Sequence, residues 1–470
     1  MTKIKFGTDG WRAIMNEDYT HSNVAKVIQA FCDVKKKELN KNVYVGFDRR
    51  KDSAEFAKTV ADVLASNGFT AWLSNDFCPT PCISWMTKVE QGLAGIMITA
   101  SHNPAQWNGV KFKEGYGGSA SPEYTQEIED QIVVNDTAGK IPLQNGFEQG
   151  VTNGQIQKFD PKDTYVKHLQ QFVDIKIIQQ SGIRIAYDAM YGAGSHFLAQ
   201  VLGIPVLALH AEADTTFGGT NPEPIEKNLQ EVIQVLKAKK ADVALATDGD
   251  ADRIGAIDEN GTYVSTNQIF ALLLKHHFTH RHAKGSIVMS VSTTSMIRKM
   301  CTQYGLNLIE TPVGFKHICK YLKNENALMG GEESGGFSYR DHVHERDGIF
   351  NGLMILEMMA IHKKSLSQLV QDLTSEFGSY FYERIDYHLT PEKIERAKTI
   401  AAKHDITSIG GVAVTNYSTM DGVKIFFADG SWLLLRSSGT EPLLRTYAEG
   451  STIERVKEIL TFAKTHLQLN

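Results

Sequence analysis

Cysteine is scarce in this chain. Its five cysteines (Cys32, Cys78, Cys82, Cys301, Cys319) are odd in number and scattered, so they supply no disulfide framework. Cys78 and Cys82 flank Pro79-Thr80-Pro81, which is neither a CxxC redox pair nor a zinc knuckle. Free thiols in a reducing cytoplasm are expected. Long apolar runs are also missing. Nothing approaches the ~18 residues of a membrane span, and the run around Ile96-Met97-Ile98 is strand-sized. The N-terminal MTKIKFGTDGWR lacks the apolar stretch of a secretion signal. Nor is there an excess of positive charge. Lys plus Arg is 49 against 54 Asp plus Glu, a net charge of −5. The broad positive field that nonspecific nucleic-acid binding needs is therefore absent, although a local basic pocket could hold a small anion. Neither nucleic acid nor membrane is an expected partner.

What is present is an ordinary globular composition. Hydrophobic residues at 42% and charged residues at 22% exclude a disordered or fibrous chain. At about 150 residues per domain, 470 residues suggest roughly three domains, too many residues for one core. Apolar residues recur at helical spacing through Val24, Val27, Ile28, Phe31 and Val34, and Lys35-Lys36-Lys37 reads as a solvated helix end. A strand at Val43–Phe47 follows, then a helix through Phe56, Val60, Val63 and Leu64 that Asn67-Gly68 stops, then strands at 70–73 and 93–99. This alternation predicts a mainly parallel, doubly wound α/β sheet. VYVGFD, IRIAYD and VALATD each run a short strand into an aspartate (Asp48, Asp188, Asp248), a hint of repeated units. Joints are read in the Gly/Asn/Gln/Pro-rich stretch 135–161 and near Gly378, with boundaries near 150, 258 and 375.

Polar clusters after the strands are where an open α/β sheet binds ligands. The first is Thr99-Ala100-Ser101-His102-Asn103-Pro104, which exposes Ser101 at a strand end, with Lys111 ten residues on. No Gly-x-Ser-x-Gly elbow surrounds that serine, so esterase chemistry has no support. The second is Asp248-Gly249-Asp250-Ala251-Asp252-Arg253. Its alternate carboxylates can converge on one hard cation. An EF-hand is rejected because Arg253 stands where that loop needs glycine and a strand precedes it; Mg²⁺ with a phosphate oxygen fits better. The third, Gly330-Gly331-Glu332-Glu333-Ser334-Gly335-Gly336, suits a loop that hydrogen-bonds a polyol. Asp341-His342-Val343-His344-Glu345-Arg346-Asp347 reads as a solvated turn, and the histidines from His276 to His282 as a polar helix end. The fourth, Arg436-Ser437-Ser438-Gly439-Thr440-Glu441-Pro442, makes a phosphate cradle that is not a Walker A loop.

These residues resemble the α-D-phosphohexomutase family along the whole chain. FGTDGWR (residues 6–12) looks like the family's N-terminal motif, TASHNP (99–104) its phosphoserine loop, and DGDADR (248–253) its metal loop. TPVGFK (311–316) looks like its third-domain substrate loop, GEESGG (331–336) its sugar loop, and RSSGTEP (436–442) its phosphate loop. The resemblance implies three related α/β units with mixed sheets plus a smaller C-terminal α+β domain, with the active site in the central cleft. The expected divisions are residues 1–150 for the phosphoserine loop, 151–258 for the metal loop, 259–375 for the sugar loop and 376–470 for phosphate binding.

The implied activity is that of a phosphoglucomutase, moving a phosphoryl group between O1 and O6 of glucose through phosphoserine and a glucose 1,6-bisphosphate. Ser101, Arg12, His102 and Lys111 would be catalytic. Mg²⁺ would be held by the Ser101 phosphate with Asp248, Asp250 and Asp252. Arg253, Gly314, Glu332, Ser334, Arg346, Arg436, Ser438, Gly439 and Thr440 would bind hexose phosphates. A cytoplasmic monomer or homodimer is implied. Some members place a histidine just after the sugar loop's Ser-Gly, where this chain has Gly336. Lys111, His102 and Arg346 remain as candidate bases, with Lys111 ranked first because a lysine crowded by cations loses its proton more easily. GEES resembles glucose-directed members, while mannose, dual glucose/mannose and glucosamine use are alternatives. A non-catalytic sugar-phosphate binder and a phosphatase are the readings from other classes.

Overall fold

A computed structural model describes residues 4–437 and 443–469, so Ser438, Gly439 and Thr440 lie outside the described residues. Four sheets succeed one another along the chain. The first has six strands in the order Trp11–Ile14, Trp107–Glu114, Ala94–Ile98, Asn42–Phe47, Thr70–Ser74, Ile156–Phe159. It takes in residues past 150, inside the stretch read as a joint. The second runs Tyr263–Val264, Ile254–Ile257, Val243–Thr247, Ile185–Asp188, Leu207–Leu209. The third runs Leu308–Thr311, Ile287–Ser290, Met329–Gly331, Phe337–Tyr339. These three mix parallel and antiparallel pairs. The fourth, of six strands from Phe381–His388 to Leu443–Gly450, is antiparallel throughout. Among the described residues no helix is long and apolar enough to cross a membrane.

The helices form where the apolar spacing asks for them. His21–Lys35 buries Val24, Val27, Ile28 and Phe31, and the Thr20 side chain caps it by accepting from Asn23 N. Ser53–Ser66 buries Phe56, Val60, Val63 and Leu64 and ends at Asn67. All five cysteines are free and buried.

The repeat is topological. In each mixed sheet a strand parallel to its inner neighbour is followed at once by an antiparallel strand, and the short reversing loop carries a motif: residues 99–106, 248–253 and 332–336. A short loop can only make an antiparallel reversal, because parallel neighbours need a long crossover. The three strand-to-aspartate matches had paired unlike positions. Asp48 and Asp188 end inner strands, whereas Asp248 begins a reversing loop.

The expected solvated turn over residues 341–347 is overturned, and the polar helix end over residues 276–282 is present with its first two histidines turned inward. His276 and His277 are buried; His276 Nε2 lies 3.2 Å from Glu357 Oε2, and His277 stacks on Tyr339. His342, Glu345, Arg346 and Asp347 are buried as well. Asp347 accepts from Tyr165 Oη at 2.7 Å and contacts His342 Nε2 at 2.8 Å, while Glu345 is bound by Lys113. Tyr165, Lys113 and His168 come to them from distant segments, so polarity read locally said nothing about exposure.

Candidate active site

Ser101 follows the strand Ala94–Ile98 with φ at +53° and, contrary to the expected exposure, is fully buried, because the loop 248–253 packs onto it. A serine in the left-handed region costs about 1 kcal/mol or more and must be held there. Its Oγ donates to Asp248 Oδ2 at 2.7 Å. The metal loop reaches this closely because Gly249 has no side chain: a Cβ there would fall 2.4 Å from the Ser101 carbonyl oxygen.

Asp248, Asp250 and Asp252 are buried, and each offers an oxygen within 4.8 Å of the others. Asp248 Oδ1 accepts from the Asp252 and Arg253 amides, which shape the loop. Thr80, at the start of the helix Thr80–Val89, donates through its hydroxyl to Asp250 and pairs its N–H with the Asp250 carbonyl. Asp250 Oδ1 and Asp252 Oδ1 are buried with no hydrogen-bond partner. Orphaned carboxylate oxygens are costly unless something meets them, and three hard oxygens converging here fit a divalent cation such as Mg²⁺. Burial, together with Asp252 and Asp250, pushes the Asp248 carboxyl well above its usual range.

Lys111 Nζ lies 2.7 Å from Asp250, 2.9 Å from Asp252 and 2.8 Å from Asp9. Cations therefore do not crowd it. Burial alone would lower its pKa, but the three carboxylates hold it above the ordinary lysine value, so here the ammonium keeps its proton. The group that cations surround is His102: burial first, then Arg253, Arg12 and Lys111, hold its imidazole well below the usual range. Its Nδ1 is 3.4 Å from Ser101 Oγ. Arg253 Nε lies 4.0 Å from Asp248, and Arg12 Nη1 donates to Asn103 Oδ1 at 2.7 Å.

Asp9, within the N-terminal motif, was not singled out from the sequence. It joins Lys111 to Arg346, whose Nη2 bonds Asp9 and lies 2.7 Å from Asp252. Arg346 thus faces the metal loop. It also fills the space beside Gly336, where a Cβ would fall 2.2 Å from Arg346 Cδ.

In the sugar loop, Glu332 Oε1 accepts from Gly314 N at 2.8 Å, joining two expected substrate residues. Burial, then Glu333, lifts its carboxyl to about 7. Glu333 turns away: its Oε2 accepts from Ser292 Oγ at 2.6 Å and Ser290 Oγ at 3.2 Å. Ser334 is half-buried. Arg436 Nε lies 2.7 Å from Asp421, which also accepts from Val313 N at 2.9 Å.

Four family models match in order. They are described as phosphoglucomutase/phosphomannomutase alpha/beta/alpha domain I over residues 3–138, domain II over 163–261, domain III over 265–377, and the C-terminal domain over 390–464. A phosphoglucomutase/phosphomannomutase of Thermococcus kodakarensis is 31% identical over 97% of this chain and 96% of its own. A phosphoglucosamine/phosphogalactosamine mutase of Sulfurisphaera tokodaii is 31% identical over 94% of each chain. A crystal structure from Thermus thermophilus superposes with a TM-score of 0.87 at 29% identity over 99% of both chains.

Proposed function

The chain belongs to the α-D-phosphohexomutase family, and from that premise we infer how its own residues run the reaction. It is an isomerase that transfers phosphate intramolecularly. In our reading the resting enzyme carries a phosphoryl group on Ser101 Oγ. A hydroxyl of the sugar phosphate attacks that phosphorus, the bond to Oγ breaks, and a hexose 1,6-bisphosphate forms. The bisphosphate turns end for end, and Ser101 takes back the other phosphoryl group. Asp248, Asp250 and Asp252 would hold a Mg²⁺ together with the Ser101 phosphate, and the bound ion would neutralise charge on the transferring group. Arg12, Lys111 and Arg253 add positive charge around it, since phosphoryl transfer is mainly positioning and electrostatics. Of the candidate acceptors for the hydroxyl's proton, His102 has Nδ1 3.4 Å from Ser101 Oγ, whereas Lys111 and Arg346 are held charged by the carboxylates around them, which removes the reason to rank Lys111 first. Glu332 and Ser334 bind the sugar, and Arg436 with the adjoining loop binds the phosphate that is not reacting.

We assign α-D-glucose 1-phosphate and glucose 6-phosphate as the substrate pair. An amino sugar is the second reading, favoured by the relative named for glucosamine and galactosamine. The letter that separates GEES from other sugar loops is Glu333, and its carboxylate is engaged by Ser290 and Ser292, which weakens it as a sugar reader. The observation that carries the mechanism is Ser101 Oγ, 2.7 Å from Asp248 within a buried aspartate triad.

The test is Ser101→Ala together with intact-mass analysis. The expected outcome is a folded protein without turnover, and wild type with one phosphate on Ser101. Excess EDTA should abolish turnover and Mg²⁺ restore it. Full activity without phosphate on Ser101, or in EDTA, would remove the reading. A panel of glucose, mannose, glucosamine and N-acetylglucosamine 1-phosphates, compared by kcat/KM, decides the sugar.

A further inference from the structure

Arg50 follows the strand Asn42–Phe47 and is 3% exposed. A buried guanidinium is costly unless its donors are met. Here backbone carbonyls of the serine loop and of Trp107 meet both terminal nitrogens, while Nε makes no hydrogen bond. Nη2 donates to the carbonyls of Ser101 and Asn103, both at 2.7 Å, and Nη1 to those of Pro104 and Trp107 at 2.9 and 3.1 Å. Asp48 Oδ2 lies 3.2 Å from Arg50 Nε. The same carboxylate accepts from Thr99 Oγ1 at 2.6 Å and Ser53 Oγ at 2.8 Å. Thr99 Oγ1 in turn accepts from Ser101 N at 2.9 Å. The N–H of Ser101 is therefore held by a hydrogen-bond chain from Asp48 through Thr99, and its C=O by Arg50, which is ion-paired with Asp48 and donates its backbone N–H to Asp48 Oδ1 at 2.9 Å. From the second unit, the Phe217 ring covers the guanidinium at 4.8 Å.

Ser101 needs such holding. At φ +53° its backbone is in a region that persists only when its surroundings over-determine it. Relaxation to an ordinary φ would swing Oγ off Asp248. We propose that Arg50, anchored by Asp48, is a positioning residue for phosphoryl transfer, holding Ser101 in its strained conformation with Oγ aimed at the metal loop. This rests on Ser101 being the nucleophile. A lysine in place of Arg50 keeps the charge but has one nitrogen where the fork has two, so it cannot span four carbonyls.

The experiment compares Arg50→Lys, Asp48→Asn, Arg49→Gln and Ser101→Ala in the full-length enzyme with Mg²⁺. Arg49 is the control: it binds Ala211 O and Ser195 Oγ and does not touch the serine loop. Arg50→Lys should lower kcat about 10²-fold, as misplacing a reacting group by about 1 Å does, with KM for glucose 1-phosphate changed less than about threefold. It should also slow the appearance of phosphate on Ser101 when dephosphorylated enzyme meets glucose 1,6-bisphosphate, read by intact mass. Asp48→Asn should do the same more mildly, and Arg49→Gln should keep kcat. Guanidinium ion added to Arg50→Ala should restore part of kcat, and ammonium should not. A folded Arg50→Lys with wild-type kcat would overturn the proposal, as would equal loss in Arg49→Gln. Unfolding of both Arg50→Lys and Asp48→Asn would overturn it in favour of a purely structural clamp. If Ser101→Ala retains turnover, the nucleophile assignment itself fails. If that variant is inactive while Arg50→Lys is as fast as wild type, only the clamp fails.

Discussion

Glu332 shows how a single residue in the sugar loop is balanced between two charge states. The residue is 4% exposed, and burial with Glu333 beside it lifts the carboxyl pKa from 4.5 to about 7. A carboxyl raised in this way favours the folded state when protonated. That contribution is whole below about pH 4.5 and is lost as pH climbs through 7. Glu332→Gln keeps the shape, keeps an acceptor for the Gly314 N–H, and removes the charge. In substrate-free enzyme we expect the variant to melt above wild type at pH 8, by up to ~3 kcal/mol of stability, with the gap closing towards pH 5. Its kcat/KM should fall, because the carboxylate is an expected sugar ligand. Melting curves for both proteins across that range check the sign; a gap that is constant with pH would refute it.

At the scale of elements, the site is made by two reversing loops touching. The serine loop and the metal loop come from different sheets, and their backbones meet at Gly249. A methyl group 2.4 Å from the Ser101 carbonyl cannot be absorbed by a side-chain rotation, because the obstacle is main chain. Gly249→Ala should therefore separate the loops, costing about 1–3 kcal/mol by overpacking. Turnover should drop about 10²-fold, since the serine and the triad lose their register. Thermal melting and kcat measured together decide this, and a variant with wild-type kcat would show that the loops have slack.

Over the whole molecule, the fourth unit lies against the third. Trp432 is buried with Val291, Leu434 and Tyr447. Lys424 Nζ donates to Val291 O at 2.6 Å, and Ser295 N donates to Glu449 at 2.8 Å. Arg436 is already paired with Asp421, so a substrate phosphate would have to draw it away from that carboxylate. Water must be kept from a phosphoserine while a bisphosphate needs room to turn. We therefore expect residues from about 380 onward to rotate towards the sugar loop when a bisphosphate analogue binds, with the joint at Gly378 as hinge. Small-angle scattering should show a smaller radius of gyration at saturating analogue, and Arg436→Ala should weaken both that change and the apparent affinity for hexose phosphates. An unchanged scattering profile at saturation would count against closure.

The sequence alone determined whatever is local. Alternate aspartates in a tight turn, a serine after a strand and glycines around two carboxylates are set within a few residues, so the loops could be placed before any fold was known, while the roles expected of them came from the family resemblance. The mixed sheets came from the resemblance, while the alternation itself predicted mainly parallel ones. Tertiary structure decided which charges meet. Asp9 finds Arg346 across 337 residues, and Arg50 finds the Ser101 carbonyl across 51. Neither spacing has a period or a motif to announce it. The same holds for Lys111, whose surroundings were expected to be cationic and are carboxylates, and for His342, which was read in a solvated turn and is buried. A residue's type states what bonds it can make. Burial and pKa depend on partners brought by other chain segments, and those exist only once the sheets have packed.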